Sequence, residues 1–123
     1  MQSLVLSVAS WLASPFNASY CASKSAEWAL TNALRVELRA QGTLVVGVHA
    51  GFIDTDMAAT VDDPKISAQE VAGQTLDAIE KGRPEVLTDE WTRHVKNSAA
   101  TDQDSLYPVV QRSWDAGESP WKR

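Results

Sequence analysis

The sequence predicts an α/β fold built on a parallel sheet, and three observations carry that reading. The run Thr43-Leu44-Val45-Val46-Gly47-Val48-His49 is apolar nearly throughout and rich in β-branched residues. Strands covered by helices on both faces have this composition. A shorter run over residues 4–9, with Val5, Leu6 and Val8, has the same character. Between the two, Ala22, Ala26, Ala29, Leu30, Ala33, Leu34 and Leu38 recur at spacings of three and four residues, the period of a helix. Strands that alternate with helices imply parallel pairing, because a crossover helix returns each strand to the same end of the sheet.

Each element follows in order. Residues 10–19, with Pro15 and Asn17, read as a loop. The helix runs from about residue 17 or 19 to Gln41, and Gly42 is placed to end it. After the strand at 43–49, residues 51–65 read as a long loop. Ser67-Ala68-Gln69-Glu70 is a capping box, which opens a helix carrying Val71, Ala72, Leu76 and Ile79 and closing near Gly82. Residues 84–88 form a short edge strand, 89–99 a helix with Trp91 and Val95, and 105–114 a further short helix. The chain divides at residue 88 into an α/β part, 1–88, and a helical extension with a polar tail, 89–123. Three strands make a thin core with both sheet edges open.

Composition narrows the function. With 44% hydrophobic and 22% charged residues over 123 positions, the chain is an ordinary globular one with a single core. A net charge of −5 argues against a nucleic-acid or anionic-membrane surface. Cys21 is the one cysteine, so neither an internal disulfide nor a cysteine metal site is available, and a reduced cytoplasmic setting fits. No apolar run reaches the roughly 18 residues of a membrane helix. The amino-terminal residues lack the basic flank of a signal peptide.

Chemistry concentrates near the first helix. Tyr20 and Lys24 are four residues apart, about one turn, so phenol and ammonium share a helix face. A cation beside a phenol favours the phenolate, which suits proton exchange with a carbonyl or alcohol. Ser7 stands thirteen residues before the tyrosine, at the end of the first strand. The match continues through Ala22-Ser23-Lys24-Ser25-Ala26 and resumes at Ala50-Gly51-Phe52-Ile53-Asp54-Thr55-Asp56-Met57. Together these segments resemble the active-site region of the short-chain dehydrogenase/reductase family, over residues 3–80.

The resemblance implies a partial Rossmann-like, doubly wound sheet and an NADP- or NAD-dependent oxidoreductase acting on a small carbonyl or alcohol substrate. It implies catalytic roles for Ser7, Tyr20 and Lys24. Tyr20 exchanges the proton, Lys24 assists it and bonds the nicotinamide ribose, and Ser7 donates to the substrate oxygen. Gly51, Ile53 and Thr55 join Tyr20 and Lys24 in holding the cofactor. It also implies a homo-oligomer through the helix bearing Tyr20 and ending at Gln41, with Trp28, Ala29, Asn32 and Val36 on its outer face. Ala50 stands where the family has proline, and Ser10 where glycine is common. The glycine-rich pyrophosphate turn has no counterpart, so on the order of 100 residues are expected before Met1. The alternative is a non-catalytic remnant that serves as a dimerisation module.

Other clusters carry less. Ser7, His49 and Asp54 or Asp56 have the types of a hydrolase triad, but no Gly-x-Ser-x-Gly elbow surrounds Ser7. His49 is therefore read as structural or pocket-lining, His94 as solvated and Cys21 as packing. Asp54, Asp56, Asp62 and Asp63 fit no calcium loop. Trp11, in the loop after Ser7, reads as a pocket wall or a packing residue.

Overall fold

A computed structural model describes residues 2–54, 65–99 and 103–118. Three strands form the main sheet: β1 (Gln2–Val5), β2 (Val45–His49) and β5 (Glu85–Leu87), in the order β1-β2-β5 and all parallel. Leu4 lies opposite Gly47, and Val48 opposite Val86. The helices are α1 (Ala18–Glu37), α2 (Ala68–Glu80), α3 (Glu90–Ala99) and α4 (Gln103–Asp115). The expected strand–helix alternation and parallel sheet are therefore present.

All five residues of β2 are buried. Because side chains alternate along a strand, its two faces serve different layers. Val46 and Val48 join Val86, Val71 and Ala78 in a core on the α2 side. Gly47 and His49 turn the other way; a Cβ on Gly47 would meet His49, Leu6 and Thr31 of α1 within 4 Å. Arg35 of α1 clips this face to the sheet, donating from Nε to the Val45 carbonyl (3.3 Å) and from Nη2 to that of Pro84 (3.0 Å).

The first helix stops at Gly42 as expected, and of the four residues expected on its outer face Ala29 and Val36 are exposed. Its last turn, Leu38–Gln41, tightens to a 3₁₀ turn, and Gly42 then takes φ +73°, a left-handed stop that needs no Cβ relief. Of the residues at helical spacing, Ala22, Ala26, Ala29, Leu30 and Ala33 are exposed and Leu34 and Leu38 are half-buried, whereas Cys21 and Thr31 are the buried positions. Trp28 is not an outer residue, since its ring meets Trp11 edge-on at 5.7 Å. Asn32 is half-buried and accepts from Arg35.

The expected loop over 51–65 is also corrected. β3 (Phe52–Asp54) and β4 (Lys65–Ser67) pair in parallel as a second, two-stranded sheet. Ile53 and Ile66 pack against the α2 core, so burial rewards this pairing. The serine half of the expected capping box is present, with Ser67 Oγ accepting from the Glu70 N–H at 3.1 Å. Thr55, Asp56, Asp62 and Asp63 lie outside the described residues. No described helix is long and apolar enough to cross a membrane.

Candidate active site

The carboxyl ends of β1, β2 and β5 open on one cleft of about 850 Å³, whose walls include Ser7, Gly51, Thr88, Asp89, Trp91 and Arg93. Open α/β sheets bind their ligands at this end. Ser7 and Gly51, read separately from the sequence, thus meet in one cavity. Val109 and Ser113 of α4 close its far side.

Ser7 leaves β1 and caps a 3₁₀ turn, Val8–Ser10, by accepting from the Ala9 N–H at 3.1 Å. That bond occupies the oxygen and leaves the hydroxyl proton available to donate. The turn is clasped to α1 from both sides. Ser10 Oγ donates to the Lys24 carbonyl (3.2 Å), and Ser25 Oγ donates to the Ser10 carbonyl (2.7 Å). The segment after Ser7 is therefore fixed against the helical turn that carries Lys24.

Tyr20 and Lys24 share a face of α1, with the ammonium 5.7 Å from the phenol ring centroid. Tyr20 is 45% exposed. Neither residue is in the wall of the large cleft. Lys24 also ion-pairs with Glu27 at 3.2 Å, an exposed contact of small energetic weight. A second, smaller cavity of about 290 Å³ lies beside the start of α1, between Ala18 and the Tyr107–Trp114 face of α4. The Ala13 N–H donates to the Tyr107 hydroxyl, and Phe16 meets Trp114 edge-on, which seats α4 on this segment.

Behind Ser7, the fully buried His49 stacks on Trp11 at 4.2 Å between ring centroids. The sequence left Trp11 open between wall and packing; here it packs. Burial lowers the His49 pKa to about 4, against the opposing pull of Glu85; Lys96 adds to the lowering, the Ser7 carbonyl resists it, and Arg35 adds weakly. The ring faces Glu85 at 3.9 Å and the Ser7 carbonyl without closing a hydrogen bond on either. His49 is thus neutral, and Glu85 takes its charge partner from Lys96. Burial pushes the Glu85 carboxyl up, but the Lys96 hydrogen bond and charge outweigh it and hold the group below its ordinary range.

The sequence pattern places Asp89 as the first residue of the helix over 89–99 and points to no role for it. It precedes α3 and caps it, Oδ1 accepting from the Thr92 N–H at 2.7 Å. Its other oxygen accepts from the Gly51 N–H (3.2 Å) and the Thr88 hydroxyl (3.3 Å). Burial raises the Asp89 pKa, but these hydrogen bonds prevail and keep it below the usual carboxylate value. The cap was readable, since Asp before a helical run is a start signal; the bond to Gly51 was not. Among the described residues no group of His, Cys, Asp and Glu could hold a metal ion.

A family profile described as short chain dehydrogenase matches residues 4–66, which is half of the chain. The chain belongs to the short-chain dehydrogenase/reductase family. Its fold agrees with that of a short chain dehydrogenase from Burkholderia cenocepacia, solved in complex with NADP, at a TM-score of 0.81 and 33% identity over 88% of this chain. It is 28% identical, over 76% of its length, to the 1-deoxy-11-beta-hydroxypentalenate dehydrogenase of Streptomyces exfoliatus. The short-chain dehydrogenase/reductase chain described here spans 47% of the first of these proteins and 41% of the second.

Proposed function

We propose that the chain carries the reacting part of an NAD(P)-dependent oxidoreductase that interconverts a carbonyl and an alcohol. The observation that carries this is the clasp of the Ser7 strand end onto the Lys24 turn, beside a cleft that Ser7 shares with Gly51. The cavity, at the carboxyl ends of parallel strands and with a wall residue that lacks a side chain, fits a nicotinamide cofactor. The NADP bound by the solved relative supports the same class of cofactor. Gly51 and the backbone of Ile53 would hold its nicotinamide end, with Thr55 and Lys24.

When bound, the cofactor supplies or accepts a hydride. The chain's own residues manage the proton. Ser7 would donate its hydroxyl hydrogen to the substrate oxygen, where negative charge develops during reduction. Tyr20 would deliver the proton to that oxygen, and Lys24 would stabilise the phenolate left behind. In alcohol oxidation the same groups act in reverse. Reduction of a panel of aldehydes and ketones with NADPH or NADH tests this through cofactor absorbance. Tyr20→Phe is expected to lower turnover by roughly 10²-fold or more. Near-normal turnover in that variant would remove Tyr20 from the role.

A second reading, self-association through α1, rests on the apolar residues that this helix leaves outside. Leu30 is 63% exposed and Val36 78%, beside exposed Ala22, Ala26, Ala29 and Ala33. Contiguous apolar faces of this kind mark protein interfaces.

A further inference from the structure

We propose that Asp89 is a positioning residue for the cofactor loop: its single carboxylate ties the Gly51 backbone to the amino end of α3, so that the helical extension sets the geometry of that loop. The inference rests on the oxidoreductase reading above only for what the loop binds.

The need for such a tie follows from how β2 ends. The His49 carbonyl accepts from Thr88 N–H at 3.0 Å, and the Ala50 carbonyl accepts from Val8 N–H at 2.9 Å. Both are continuations of the sheet ladders. At Gly51 the bond is of another kind, because its N–H turns to a side chain, Asp89 Oδ2, at 3.2 Å. The path of the backbone into Phe52–Asp54 therefore starts from a point that a carboxylate fixes.

The carboxylate itself has little freedom. Oδ1 is held at 2.7 Å by the Thr92 N–H at the start of α3. Oδ2 also receives the Thr88 hydroxyl at 3.3 Å, and the Thr88 carbonyl is gripped by Gln74 Nε2 of α2 at 3.0 Å. Hydrogen bonds to a charged acceptor are about twice as strong as neutral ones, and each is worth most where water is scarce. The two oxygens divide the work, one serving the helix and the other the loop. That division makes the roles separable by mutation, since a shorter side chain can cap α3 without reaching Gly51.

The experiment uses the full chain and three variants, Asp89→Ser, Asp89→Asn and Asp89→Ala. Amide hydrogen exchange is followed at Gly51–Ile53 and at Val95 in α3, and NADPH is titrated against each protein. Serine is a good helix cap, so Asp89→Ser is expected to keep Val95 protection within about threefold of wild type. In the same variant Gly51 exchange should rise by roughly tenfold or more, the value of a lost charge-assisted hydrogen bond, and the NADPH dissociation constant should rise by a similar factor. Asp89→Asn, which keeps one accepting oxygen, should fall between Asp89→Ser and wild type at Gly51. Asp89→Ala should lose protection at both sites.

Unchanged Gly51 exchange in Asp89→Ser overturns the proposal. Faster Gly51 exchange with an unchanged NADPH constant also overturns it, because the tie would then be structural only. A wild-type chain that ignores NADPH contradicts the cofactor reading instead, and that result is read from the wild-type titration alone. A helix cap without the loop role would move Val95 and leave Gly51 where it is.

Discussion

His49 stays neutral because its ring is buried against Trp11 with both nitrogens unpaired among the described residues. Its pKa falls from 6.5 to about 4. Between those values the unfolded chain binds a proton that the folded chain does not, so stability falls as pH drops through this window and levels off below it. A shift of this size corresponds to at most about 3.4 kcal/mol. Thermal unfolding from pH 7 to pH 4 is expected to show this loss, and His49→Gln should flatten the curve over that interval. A His49→Gln curve as steep as wild type would contradict the assignment. Glu85 and Asp89 act in a separate window. Their folded pKa values lie below the ordinary carboxylate range, so their contribution is complete above it and disappears as pH falls through the folded values.

At the scale of the element, β2 carries the tightest constraint. A Cβ at Gly47 would stand 3.3 Å from His49 Nε2 and 3.4 Å from Leu6 Cδ1. Both neighbours are buried and have little room to retreat. Gly47→Ala is expected to lower stability by about 1–3 kcal/mol in urea unfolding, the usual cost of overpacking a full core. Helix α1 shows the opposite case. Leu30→Glu and Val36→Lys should each change monomer stability by no more than about 0.5 kcal/mol. If the outer face of α1 joins two copies, the pair of changes should abolish the association in sedimentation. These elements also show how far sequence reading reached. The strands at β1 and β2 could be read because apolar, β-branched runs tolerate few other settings. The face of α1 could not, because alanines at three- and four-residue spacing suit either side of a helix. Its buried positions, Cys21 and Thr31, are nearly invisible to a hydrophobic pattern. The pairing of β3 with β4 was missed because three-residue strands carry little periodicity. Ser7 and Gly51 were found by motif spacing, whereas the Asp89 bond to Gly51 joins positions 38 residues apart and leaves no local trace.

Across the whole molecule, the three-stranded sheet places Ser7, Gly51 and Asp89 around one cleft, while α1 holds Tyr20 and Lys24 on the clasped side of the Ser7 turn. The extension is part of this arrangement, since α3 meets the loop through Asp89 and α4 supplies the far wall. The chain spans under half of the two relatives it resembles. The decisive question is therefore whether these residues form a cofactor site in this chain. Titration of the purified protein with NADPH, followed by tryptophan fluorescence, answers it most directly. Saturable quenching is expected, with a dissociation constant below about 1 mM that Lys24→Ala raises roughly tenfold or more. No saturation at millimolar NADPH, or a Lys24→Ala curve that overlays wild type, would contradict it.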